Sequence, residues 1–173
     1  MKGKKVGLYF SAYWCGPCCA FTVTLVELYN EVSAKGDFEI IFVSEDGDED
    51  AFNGCFSKMP WLAILFFDAD KRYELYKLFK VLIIPHLVIF DENGKVAIED
   101  GKEVVLEYGV EAYPFTPKRI KELKDQEEEA KRNQSLRSIL VYKSFDYVIS
   151  YDGKQVSFCN LALDMIYLKK HFL

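Results

Sequence analysis

The chain is poor in histidine, in excess positive charge and in long apolar runs. Two histidines among 173 residues leave little material for a histidine-built metal or acid–base centre. Lysine and arginine number 22 against 27 acidic residues, a formal charge of −5, so the basic face of a nucleic-acid binder is missing. The longest apolar run, Met59 to Phe67, falls far short of the ~20 residues that a bilayer span needs. The N-terminus is basic and then apolar, but no small-residue cleavage site follows, so it reads as a strand and not a leader. No Gly-x-Gly-x-x-Gly fingerprint occurs, so no dinucleotide is expected to bind the chain directly. Five cysteines, an odd number at irregular spacing, do not make a secreted disulfide framework.

What is present is apolar and aromatic. Half of the residues are hydrophobic, with 14 Phe and 11 Tyr, which excludes a wholly disordered chain. The length allows one domain with some surplus and a core that needs no disulfide staples. Val6 to Phe10 reads as a buried strand. A helix is expected from Pro17 or Cys18 to about Ala34, because Phe21, Leu25, Leu28, Tyr29 and Val32 make a helical stripe, and Gly36 suits its end. Phe38 to Ser44 is a second strand. The acidic run Glu45 to Asp50 reads as a solvated loop entering a short helix, Ala51 to Phe56. Lys71 to Lys80 is a further helix with Leu75, Leu78 and Phe79 on one face. Ile83 to Phe90 is a strand interrupted by Pro85, and Asp91 to Gly94 turns it into a return strand, Lys95 to Ile98. Val104 to Tyr108 reads as another extended segment. Thr116 and Pro117 open a charged helix that runs to about Arg132. The sum is an α/β chain, a mixed sheet with helices on both faces.

The chemistry concentrates at Cys15-Gly16-Pro17-Cys18, between a predicted strand and a predicted helix. That context makes a C-x-x-C pair a redox site. At a helix N-terminus, free N–H groups and the dipole favour thiolate, lowering a cysteine pKa from about 8.5 towards roughly 7 or below. Cys15 is then the nucleophile, and Cys18, one turn on, is placed to attack a mixed disulfide. A zinc knuckle would need a second pair of ligands, whereas Cys55, Cys159, His86 and His171 are scattered singly. Paired thiols of this kind belong in a reducing compartment, and the expected location is cytoplasmic and/or nuclear.

Trp14-Cys15-Gly16-Pro17-Cys18 resembles the active-site loop of thioredoxins. The flanks narrow the resemblance to the nucleoredoxin and tryparedoxin branch: Tyr9-Phe10-Ser11-Ala12-Tyr13 before the motif, Lys58-Met59-Pro60-Trp61-Leu62-Ala63, Ile84-Pro85-His86-Leu87, and Asp91-Glu92-Asn93-Gly94-Lys95. Tyr108-Gly109-Val110-Glu111-Ala112-Tyr113-Pro114-Phe115-Thr116-Pro117 is similar to plant nucleoredoxins in particular. The resemblance, over about residues 2–133, implies a thioredoxin fold and a thiol–disulfide oxidoreductase that reduces protein disulfides. It implies Ile84-Pro85 as a cis peptide facing the disulfide, where the Ile84 backbone pairs with an extended substrate segment. Trp14 becomes a partly exposed wall of the docking surface, and Trp61 is core. The implied partners are disulfide-containing protein substrates and a reductase resembling thioredoxin reductase, with NAD(P)H only as ultimate electron donor and no cofactor or metal bound. Neither nucleic acid nor membrane is an expected partner. Two rival readings are a redox-sensing module that docks a signalling partner with little turnover, and a metal or iron–sulfur site shared across a dimer by Cys15, Cys18 and Cys19.

The chain also departs from the branch. Tyr9 stands where thioredoxins bury a carboxylate, so proton transfer to the second thiol would need water or a distant acid such as Glu31 or Asp91. Cys19 replaces a polar or basic residue. Leu82 and Ile83 replace a polar–glycine pair beside Pro85, bulk that would narrow access to the site. His86 could donate a proton near the disulfide, but a strand residue next to Pro85 is expected to point away from it. Residues 1–133 read as one thioredoxin-like module. Residues 134–173, with candidate strands Ser138 to Tyr142 and Tyr147 to Ser150 and a turn at Asp152-Gly153, read as the lead-in of a second, incomplete one.

Overall fold

The computed structural model describes residues 3–133, 147–149 and 151–157. The chain divides into two compact units, Met1–Lys124 and Asp125–Leu173. In the first, strand β1 (Lys5–Ser11) leads into helix α1 (Gly16–Ser33), followed by β2 (Phe38–Ser44), α2 (Glu49–Phe56), β3 (Leu62–Ala63) and α3 (Ala69–Leu78). The hairpin β4 (His86–Phe90) and β5 (Val96–Ile98) follows, then α4 (Gly101–Tyr108), a 3-10 turn (Gly109–Ala112) and α5 (Pro117–Asn133), within which the division between units falls. The sheet order is β3-β2-β1-β4-β5. β1 lies at its centre, parallel to β2 with Tyr9 opposite Phe42, and antiparallel to β4 with Phe10 opposite His86.

Alternation along β1 divides the core between the two faces of the sheet. Tyr9 joins Phe38, Ile40 and Phe42 of β2 and Leu87 and Ile89 of β4 on one face, under Phe21, Leu25, Leu28 and Val32 of α1. Trp61 is buried in the same cluster, as expected. Leu8 and Phe10 join Val43 and Val88 on the other face, against Leu75, Tyr76 and Phe79. Helix starts are capped by their own sequence: Asp48 and Asp68 carboxylates accept the Ala51 and Lys71 N–H groups, and Thr116 Oγ1 accepts that of Arg119. At the opposite end from Cys15, the Tyr113 hydroxyl donates to the Asp37 carboxylate (2.7 Å). That bond, with Lys5 beside it, holds the Asp37 carboxyl below its ordinary pKa.

Three expectations need correction. Val104 to Tyr108 is not extended but lies in α4. Val104 and Val105 bury while Leu106 is exposed, a helical face, and Gly101 lets the helix start press on β4. A Cβ at Gly101 would sit 2.8 Å from the Leu87 carbonyl oxygen. On α3, Leu75 packs inward with Phe79 just beyond the helix, but Leu78 is exposed. Strand β4 starts at His86, not Ile83, because Pro85 has no N–H for the ladder. The two-residue β3 was not expected at all.

In the second unit, β6 (Tyr147–Ile149) and β7 (Gln155–Ser157) form an antiparallel hairpin with Val148 opposite Val156. Gly153, at φ +81, supplies the left-handed residue of its turn. The expected strand Ser138 to Tyr142 lies outside the described residues.

Phe42 is fully buried, with its ring 5.7 Å from Phe52 and 6.4 Å from Tyr9. Phe42→Ala should cost about 3–5 kcal/mol, read as a lower urea midpoint, whereas Phe67→Ala, at a side chain 80% exposed, should stay within about 0.5 kcal/mol of the parent.

Candidate active site

β1 ends at Ser11, and the chain needs only a short loop to bring Cys15 to the N-terminus of α1. Cys15 is the N-cap, with extended backbone, and its Sγ accepts the Cys18 N–H at 3.2 Å. Pro17 occupies the first turn, where a missing N–H costs nothing. Cys15 and Cys18 are joined as a disulfide. Both are buried, yet Trp14, Gly16 and Pro17 around them are exposed. The donor aimed at Cys15 Sγ favours negative charge on that sulfur once the bond is reduced.

The loop ahead of the motif is fastened by a residue the sequence reading passed over. Asp46 is not part of a solvated loop: it is 3% exposed. Its carboxylate accepts the Tyr13 N–H (2.8 Å) and the Ser44 hydroxyl (2.7 Å). Arg72 Nη1 donates to the Ser44 and Asp46 carbonyls, at 2.9 and 3.2 Å. The available signal was Ser44-x-Asp46 directly after a buried strand, a pattern in which short polar side chains bond their own backbone; the Asp46 N–H does bond Ser44 Oγ.

Ile84-Pro85 is cis, and Ile84 packs against Ala12, Cys15 and Cys18. The Ile84 carbonyl oxygen lies 3.9 Å from Cys15 Sγ. Leu82 and Ile83 do not close the approach. They are 92% and 80% exposed, standing out into solvent beside it, and Trp14 is 65% exposed. His86 is half-buried with its ring 6.0 Å from that of Phe10, on the α3 side of the sheet, so it faces away from the disulfide as expected.

Beneath the motif, the Tyr9 hydroxyl lies 2.9 Å from Thr22 Oγ1 and 3.2 Å from the Cys18 carbonyl oxygen, which also accepts the Thr22 hydroxyl (2.9 Å). Burial pushes the Tyr9 phenol up to about 12 despite the Ser11 and Thr22 hydroxyls, so it stays protonated at neutral pH. Neither distant acid stands here. Asp91 accepts the Asn93 and Lys95 N–H groups beyond the other end of β4, and Glu31 is exposed in the last turn of α1. Cys19 is exposed, with Sγ 3.7 Å from the Tyr13 carbonyl oxygen. Cys55 is buried, and burial together with nearby Asp46 raises its thiol to about 11.

The profile of the thioredoxin-like family matches residues 3–96. The chain belongs to the thioredoxin-like family. Within it, the resemblance is to the nucleoredoxin and tryparedoxin branch. The chain is 55% identical over 159 residues to probable nucleoredoxin 1 of Arabidopsis thaliana, covering 92% of this chain and 28% of that protein. It is 42% identical over 127 residues to nucleoredoxin of Bos taurus, 72% of this chain and 29% of that one. The chain thus spans less than a third of these relatives. Native tryparedoxin I from Crithidia fasciculata superposes with a TM-score of 0.62 at 38% identity, over 66% of this chain and 81% of that structure. The fold is the thioredoxin fold of this family, and the Cys15–Cys18 disulfide occupies its active-site position.

Two outcomes test the geometry. Asp46→Ala strips a charged acceptor from two buried or half-buried donors and should cost about 1.5–3 kcal/mol in chemical unfolding. His86 has its pKa lowered by burial. Its contribution to stability is complete above the unfolded value near 6.5 and is lost as pH falls through the folded value. His86→Gln should therefore flatten the decline in stability between about pH 7 and 5.

Proposed function

We propose that the chain is a protein-disulfide reductase acting through Cys15 and Cys18. The observation that carries this is the N-cap geometry: Cys15 Sγ receives the Cys18 N–H at a helix start, already paired with Cys18 and flanked by cis-Pro85. In the reduced form, the Cys15 thiolate attacks one sulfur of a substrate disulfide. An S–S bond forms between Cys15 and the substrate as the substrate's own bond breaks, releasing one substrate thiolate. Cys18, as thiolate, then attacks Cys15 Sγ, closes the Cys15–Cys18 disulfide and releases the second thiolate. Two electrons pass from the dithiol to the substrate, and solvent protonates the leaving thiolates.

Trp14, Gly16 and Pro17 form the loop around the disulfide, and the Ile84 backbone beside Pro85 binds the substrate chain as an added strand. A reductase partner returns the electrons, with NAD(P)H as their ultimate source. The working compartment is the cytoplasm or nucleus, where such a dithiol is regenerated. Residues 1–133 act as one module, and 134–173 belong to the approach to a next one, consistent with a match over 159 residues to a much longer relative.

Insulin reduction with dithiothreitol as regenerating reductant tests the reading. Cys15→Ser should lower the rate to the dithiothreitol background, and Cys18→Ser should accumulate a mixed disulfide visible by intact mass. An unchanged rate in Cys15→Ser would sink the reductase and leave the docking module that turns over little.

A further inference from the structure

We infer that Leu82 and Ile83 make this site select disulfides flanked by apolar residues in an extended segment of a protein substrate, an inference that rests on the reductase reading above. A substrate disulfide has to reach Cys15 Sγ, and the chain carrying it must pass the Ile84 carbonyl, 3.9 Å from that sulfur. The two residues immediately before Ile84 are then under it. Leu82 is 92% and Ile83 80% exposed, with Trp14 at 65% on the motif loop. An isolated exposed leucine means little, because folded surfaces are rich in apolar atoms. Two consecutive large aliphatic side chains, both almost fully exposed at the rim of the reacting bond, are an apolar patch at a docking point.

Charge supplies the second argument. From Val6 to Val26 and from Val81 to Phe90 the sequence contains no Asp, Glu, Lys or Arg. These two segments carry the disulfide, its loop and the cis-proline turn. The one titratable base among them, His86, lies against Phe10 on the far side of the sheet. On the α4 side of the motif, a cavity of about 290 Å³ is lined by Pro17, Phe21, Pro85 and Leu106 among others. Its charged member, Lys102, is already paired with Glu103 at 2.9 Å. With no charge in these two segments and none left unpaired in the lining of that cavity among the described residues, recognition there comes from burial of apolar surface, and partners are not steered by ion pairs at the point of reaction.

The test uses two cystine peptides of equal length, one with leucine and valine beside the half-cystines and one with serine and glycine there. Bis(2-hydroxyethyl) disulfide, too small to reach the patch, reports whether the dithiol is competent. The expected result is kcat/KM about tenfold higher for the apolar peptide, a ratio in keeping with the burial of one or two aliphatic side chains. Leu82→Ser should reduce that ratio and Leu82→Ser/Ile83→Ser should bring it near one. The apolar peptide's kcat/KM should change little between low and high salt. Equal kcat/KM for the two peptides, or a preference that survives the double substitution, overturns the inference while the small disulfide shows the reductase reading intact. No turnover of any of the three disulfides overturns both.

Discussion

The register of β1 between its two neighbours is the constraint on which the site depends. β1 pairs with β2 over its whole length and with β4 over five positions, so neither its height nor its rotation can change alone. A slip by one residue would carry Tyr9 and Phe10 to opposite faces and empty both cores at once. Because that slip is so costly, the end of β1 is a fixed point. Ser11 pairs with Ser44, so the loops after β1 and β2 leave the sheet side by side, and Asp46 of one can bind the Tyr13 N–H of the other. Phe10 pairs with His86, so Pro85 is delivered to the same edge. The disulfide and the cis-proline, far apart in sequence, meet because two ladders share one strand.

Much of this was legible in sequence because local and global signals agree. The stripe from Phe21 to Val32, the Asn93-Gly94 hairpin and the Thr116-Pro117 helix start each carry their own turn, cap or period, and the structure shows each of them. The motif likewise brings its context with it, a strand before and a helix after. The failures occur where local signals are silent. Val104-Val105-Leu106 is as apolar and β-branched as a strand, but the segment is a helix that buries Val104 and Val105, and Gly101 lets its start lie against Leu87. β3 is too short to show a period. Asp46 looks like one acid among several, and its burial comes from Arg72 and Tyr13, contacts 26 and 33 positions away in sequence.

The missing carboxylate beneath the motif changes what the interior can do. With Tyr9 in place of an acid, the groups that bond the Cys18 carbonyl are the hydroxyls of Tyr9 and Thr22, with Ser11 fully buried nearby. A phenol raised to about 12 gives up its proton to no thiolate at neutral pH. Its ring packs edge-on against Phe21 and Trp61, and its hydroxyl joins that of Thr22 at the Cys18 carbonyl oxygen. On the other side of the motif, Gly16 and Pro17 face solvent.

That arrangement follows from the same apolar economy that builds the sheet. The segments nearest the disulfide contain no acidic or strongly basic side chain, while charge is gathered on α5 and on the run before α2. Within an uncharged surround, the field at Cys15 Sγ comes chiefly from oriented peptide groups: the Cys18 N–H and the start of α1 on one side, the Ile84 carbonyl on the other. Those dipoles are fixed by the strand register and do not titrate as a side-chain charge does. A site built this way needs no partner charge to hold its thiolate in place. It leaves the surface beside Pro85 free to be shaped by side chains such as Leu82 and Ile83, which are exposed and belong to none of the core clusters.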